Sequence, residues 1–126
     1  PGRRGIPRLT PVITREELLT ARAEAAGVYC RPDLTRAVVS LADATRRDRR
    51  LRYGVSPRGS LHLQDALRAL AYLRGRDFAT DDDFLDLAAP VLAHRVPPAG
   101  SEYDSADVVT EHARRVVAEL READGV

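Results

Sequence analysis

The sequence contains no lysine, no methionine and no tryptophan, one cysteine, and only four tyrosines and two phenylalanines. Each gap removes a class of chemistry. Without lysine there is no G-x-x-x-x-G-K-[ST] loop, so the chain alone cannot cradle and hydrolyse a nucleotide in the P-loop manner. A lone cysteine, Cys30, excludes a disulfide framework and a cysteine-based zinc site; a small buried or half-buried hydrophobe is expected there. No apolar run approaches the ~20 residues of a membrane span, and no signal-peptide pattern opens the chain, so a cytoplasmic setting is expected. There is no H-E-x-x-H, no G-x-S-x-G and no nucleophile with a readable base. His62, His94 and His112 are too widely spaced for a metal set and read as surface or interhelix residues.

An excess of one charge sign is also missing. Arginine numbers 20 against 19 acidic residues, for a formal net charge of +1, whereas a nucleic-acid binder should carry a clear basic excess. The shortage of lysine, methionine and tryptophan beside abundant alanine and arginine points to a GC-rich coding sequence. The chain starts Pro1-Gly2 and has no methionine anywhere, so we expect it to be part of a longer protein.

What is present is helical periodicity. At 126 residues and 44% hydrophobic, the chain can bury one core without metal or disulfide. Residues 1–13, rich in Pro, Gly and Arg, read as a linker, and 14–126 as one domain. Thr14 with Glu17 forms a capping box, and Gly27 a stop, for a first helix at about 14–26. Pro32 and Asp33 open a second, to about residue 48, with Leu34, Val38, Leu41, Ala42 and Thr45 on one face. A third runs from Ser56 or Pro57 to about Arg74, closed by Gly75. Its stripe of Leu63, Ala66, Leu67, Leu70 and Leu73, widened by Ala69 and Ala71, predicts the most buried helix. Thr80 and Asp83 cap a fourth, with Phe84, Leu87, Ala88, Val91 and Leu92 inward, and Pro90 should kink or divide it near Ala89. Asp81-Asp82-Asp83 fits the positive end of that helix better than a metal site. Residues 96–100 read as a loop, and the last helix spans about 105–123. The expectation is an all-α bundle of five or six helices.

Two segments carry chemistry. Arg46 to Arg52 holds five arginines and reads as an exposed helix end and loop, since cations suit a helix C-terminus. The other possibility is a surface for nucleotide, a neighbouring subunit or an acidic partner. In Gly54-Val55-Ser56-Pro57-Arg58-Gly59-Ser60, Ser56 can cap the third helix and Pro57 suits its first position. Arg58 then sits in a first turn where the helix dipole disfavours a cation and favours an anion. It is either a plain surface arginine after a cap or a held contact for phosphate.

Three stretches in order resemble the C-terminal lid domain of MoxR-type AAA+ ATPases. They are Tyr53-Gly54-Val55-Ser56-Pro57-Arg58-Gly59, the turn Gly75-Arg76-Asp77-Phe78-Ala79-Thr80-Asp81-Asp82-Asp83, and Leu87-Ala88-Ala89-Pro90-Val91-Leu92-Ala93-His94-Arg95. The family patterns are G-A-S-P-R-[AG], G-R-x-[YF]-V-T-P-x-D and L-A-x-P-V-L-x-H-R. Weaker agreement covers the Thr14 helix, Ala44-Thr45-Arg46 and Asp107-Val108-Val109. Ala79 and Asp82 stand where the family often has valine and proline, and 96–104 is more polar than in relatives.

The resemblance implies a lid of the AAA+ type that packs over ATP and magnesium held by an N-terminal AAA+ core carrying Walker A, Walker B, sensor 1 and the arginine finger. Arg58 matches the sensor 2 arginine, and Ser56 and Pro57 belong to the same nucleotide-facing corner. The parent would be an ATP-hydrolysing ring, usually a hexamer, with a chaperone-like remodelling or metal-insertion role. Its partners would include neighbouring subunits and proteins with von Willebrand factor A domains. The chain alone is expected to bind no metal and to show no ATPase activity. The competing expectation is a free-standing helical module that binds protein or nucleic acid through residues 46–52.

Overall fold

Four helices begin where a side-chain oxygen meets their first N–H groups. The computed structural model describes Gly2 and residues 5–125. It contains α1 (Arg15–Ala26), α2 (Pro32–Arg47), α3 (Pro57–Leu73), α4 (Asp81–Leu92), a 3-10 turn (Ala93–Arg95) and α5 (Ser105–Asp124). Thr14 caps α1, Ser56 caps α3, Thr80 caps α4 and Asp104 caps α5. The reciprocal box closes at Thr80 and Asp83, whereas at Thr14 the hydroxyl accepts the Glu17 N–H. Pro32 opens α2 in place of a capping side chain. Gly75, at φ +74°, closes the α3 end in a conformation that favours glycine.

The fold is all-α. The helices pack in the spatial order α1, α3, α4, α5, α2, with α2 also returning to α3. The buried face of α2 is Leu34, Ala37, Val38, Leu41, Ala42 and Thr45, and that of α5 is Val108, Val109, His112, Ala113, Val116 and Val117. α3 buries only Gly59, Leu63, Leu67 and Ala71, so it is not the most buried helix. The reason lies in its neighbours. α4 covers one side, while α1 lies along the other and buries none of its own residues. Leu70 is therefore half-buried, and Leu73 is 80% exposed.

Pro90 does not divide α4, which runs unbroken from Asp81 to Leu92 before tightening into the 3-10 turn. Pro90 and Asp86, whose carbonyl loses its helical donor, are both exposed, so water can take that carbonyl.

Two isolated bridges tie the loops. Tyr29 pairs with the Phe78 segment through Tyr29 N–H to Asp77 O (2.8 Å) and Ala79 N–H to Tyr29 O (2.9 Å). Leu51 pairs with Pro98, flanked by Arg52 N–H to Pro97 O and Ala99 N–H to Arg50 O. The 96–100 loop is thus a packed partner, with Val96 fully buried. Cys30 is half-buried and its Sγ accepts the Thr35 hydroxyl.

The aspartates at the start of α4 serve the fold. Asp83 is fully buried, bonds Arg74 and Arg76 at 2.8 and 2.6 Å, and accepts the Thr80 N–H. Asp81 bridges Arg31 and Arg121, and Asp82 takes the other arm of Arg121. Among the described residues no cluster of His, Cys, Asp and Glu has the make-up of a metal site. No helix there is long and apolar enough to cross a membrane.

Candidate functional site

The corner at residues 54–59 is built by close packing. Ser56 is extended, at φ −73° and ψ 161°, and its Oγ accepts the Gly59 N–H at 3.1 Å. Pro57 follows at the first helical position and has no N–H to satisfy. Gly59 is buried against Val55 and Leu92; a Cβ there would lie 3.0 Å from Val55 Cγ1. Ser60 N–H bonds Ser56 O. Among the described residues the Arg58 N–H meets no acceptor, as expected for a donor of a helix's first turn.

Arg58 is exposed and, among the described residues, takes part in no ion pair or side-chain hydrogen bond. Among the same residues seven other arginines, Arg31, Arg47, Arg50, Arg68, Arg74, Arg76 and Arg121, pair with carboxylates. A free guanidinium on the rim of a helix start can meet an oxyanion bidentately. One turn along α3, His62 Nδ1 lies 3.5 Å from an Arg95 amino group, and Arg95 Nε is buried without a partner.

The arginine run is the exposed helix end and loop expected from sequence, with Arg46, Arg47, Arg49 and Arg52 exposed, but it also makes internal bonds. Arg46 Nε donates to Val55 O at 2.9 Å, and Leu51 is buried. Arg50 clamps Asp48 and reaches Glu111 on α5. Asp48 also meets His112 Nε2 at 2.6 Å. Arg115 donates to His112 Nδ1, so a neutral ring protonated at Nε2 satisfies both neighbours. The hydrogen bonds from Arg50 hold the Asp48 carboxyl well below the usual carboxylate range, outweighing its burial, with help from His112. Arg47 pairs with Asp43, and Arg49 and Arg52 remain exposed.

Sequence reasoning missed Thr45 and Arg46 as parts of this corner. Thr45 is buried; its hydroxyl donates to Ala42 O and accepts the Val55 N–H at 3.0 Å. Local patterning shows Thr45 only as one more inward residue of α2. The hint available was the glycine before Val55, which implies a close backbone approach.

This fold, with a Ser-Pro-Arg start to its third helix, defines an all-α lid of the AAA+ type. Residues 43–119 match the AAA lid domain family. The chain belongs to that family, and the lid is of the MoxR type.

It is 39% identical over 83 residues to protein MoxR of Paracoccus denitrificans, covering 56% of this chain and 24% of that protein. It is 31% identical over 99 residues to the chaperone MoxR1 of Mycobacterium tuberculosis, covering 71% and 26%. It is 35% identical over 91 residues to the YeaC protein of Bacillus subtilis, covering 72% and 28%. The chain thus spans about a quarter of the length of these relatives. The crystal structure of a candidate ATPase from Cytophaga hutchinsonii shares the fold, with a TM-score of 0.72 at 22% identity over 79% of this chain and 34% of that one.

Proposed function

We propose that this lid closes over ATP held with magnesium by a preceding AAA+ core, and that Arg58 meets the terminal phosphates. The observation that carries the reading is Arg58 itself. It is exposed at the first turn of α3, with no carboxylate among the described residues claiming it, on a corner fixed by Ser56 and Pro57. In this reading core residues hold the nucleotide and magnesium, while Ser56 and Pro57 set the angle of the turn. A guanidinium that bonds charge on phosphoryl oxygens stabilises the closed lid only while that charge is present. Hydrolysis is thereby linked to lid rotation and to the shape of a ring, with a hexamer as the expected assembly.

The name of one relative, chaperone MoxR1, supports a chaperone-like role; remodelling or metallating partner proteins such as those with von Willebrand factor A domains, in the cytoplasm, is what the MoxR resemblance adds to this reading. The alternative, binding through residues 46–52, is weakened because Arg46, Arg47 and Arg50 have internal partners.

The test is Arg58→Ala in the intact ATPase. Loss of a hydrogen bond to a charged group, about 1.5–3 kcal/mol, should lower turnover roughly ten- to a hundredfold. The melting temperature of the lid should hold, because the lost contact is to nucleotide. A large fall in melting temperature with normal turnover would make Arg58 a structural residue.

A further inference from the structure

We infer that Thr45 and Arg46, at the end of α2, are positioning residues for Arg58. The inference rests on the reading of Arg58 as the phosphate contact and names what holds it in place.

Among the described residues Arg58 has no side-chain partner, so its direction depends on the backbone beneath it. That backbone begins at Val55, the residue before the cap. Val55 is fixed at three points. Its N–H bonds Thr45 Oγ1 at 3.0 Å, and its carbonyl accepts Arg46 Nε at 2.9 Å. Its side chain is 1% exposed and packs towards Gly59 in the first turn of α3. A loop residue ordinarily gives its polar backbone groups to water or to a turn. Here both go to adjacent side chains of another helix.

The partners are themselves constrained. Thr45 donates its hydroxyl hydrogen to Ala42 O at 2.7 Å, so a lone pair is left to face Val55. Arg46 makes no ion pair among the described residues, although its neighbours Arg47 and Arg50 do; its side-chain bond is the one to Val55. Gly54 lets the loop lie flush on α2. A Cβ there would sit 2.4 Å from Arg46 N and 2.5 Å from Arg46 Cα, both backbone atoms that cannot step aside. The last turn of α2 is therefore a seat for the Ser56-Pro57-Arg58 corner. A shift of that seat would move a guanidinium several bonds away, and transition-state contacts tolerate little misplacement.

The chemistry suggests a discriminating substitution. Glutamine carries an N–H donor at the same number of bonds from Cα as Arg Nε, without the charge. Methionine matches the length without a donor. In the intact ATPase, Arg46→Met should lower kcat about threefold or more, with the KM for ATP little changed. Arg46→Gln should restore most of that loss. In an Arg58→Ala background, Arg46→Met should have no further effect, because the contact it positions has gone. At the buried partner, Thr45→Ser should keep turnover where Thr45→Val loses it. Arg46 is exposed, so Arg46→Met should leave the melting temperature of the lid close to wild type. Normal turnover in Arg46→Met, or a loss that simply multiplies with that of Arg58→Ala, would overturn the inference. Unchanged turnover in Arg58→Ala alone would instead remove the reading beneath it, and this inference with it.

Discussion

Twenty arginines do the work that lysine and arginine usually share, and their surroundings separate them into roles. Arg74 and Arg76 converge on the buried Asp83, whose carboxyl burial would raise but whose bonds from Arg76, the Thr80 N–H and Arg74 hold below its ordinary range. Arg46 gives its Nε to a backbone carbonyl, and the Arg58 side chain bonds none of the described residues. At this scale two stability predictions follow from burial. Leu67→Ala removes a fully buried side chain and should cost about 2–5 kcal/mol, whereas Leu70→Ala, at a half-buried site, should cost visibly less. Equal melting losses for the two would contradict this placement of α3. Asp83→Ala removes an N-terminal box and three charged hydrogen bonds from two arginines at once, and should cost about 2–4 kcal/mol by chemical denaturation.

Helix starts were legible because capping is local. Thr14, Ser56 and Thr80 announce α1, α3 and α4 within four residues of sequence. The rank of burial was not legible, since a stripe of Ala and Leu records how apolar a face is and not how many helices cover it. The partners of the exposed arginine run were not legible for a related reason. Arg50 bonds Glu111 and Asp48 bonds His112 across 61 and 64 residues, beyond any local period. Those distant bonds have a pH consequence. Asp48, Asp81 and Asp83 all titrate below their unfolded values in the folded chain. Their contribution is therefore complete above the unfolded carboxylate pKa of about 4, and is lost as pH falls through the folded values. The melting temperature should decline below about pH 4. Asp48→Asn should start lower and decline less steeply, and an unchanged acid limb in that variant would contradict the assignment of Asp48.

The whole molecule joins a capped, ion-paired scaffold to an arginine that, among the described residues, is unpaired at a helix start. α4 and α5 pack together at the centre, α2 closes one side, and α1 lies on α3 without burying a residue. The Ser56-Pro57-Arg58 corner was readable from sequence because its residue types suit a helix start and its pattern resembles a known lid. Its support by Thr45 and Arg46 was not readable, because it depends on how α2 meets the loop after it. The account makes Arg58 the point at which this scaffold meets nucleotide. The most direct measurement is a structure of the intact ATPase with magnesium and a transition-state mimic of the γ-phosphate. The account predicts a guanidinium nitrogen of Arg58 about 3 Å from an oxygen or fluorine of that mimic. An Arg58 turned to solvent, with every phosphate contact made by other residues, would contradict it.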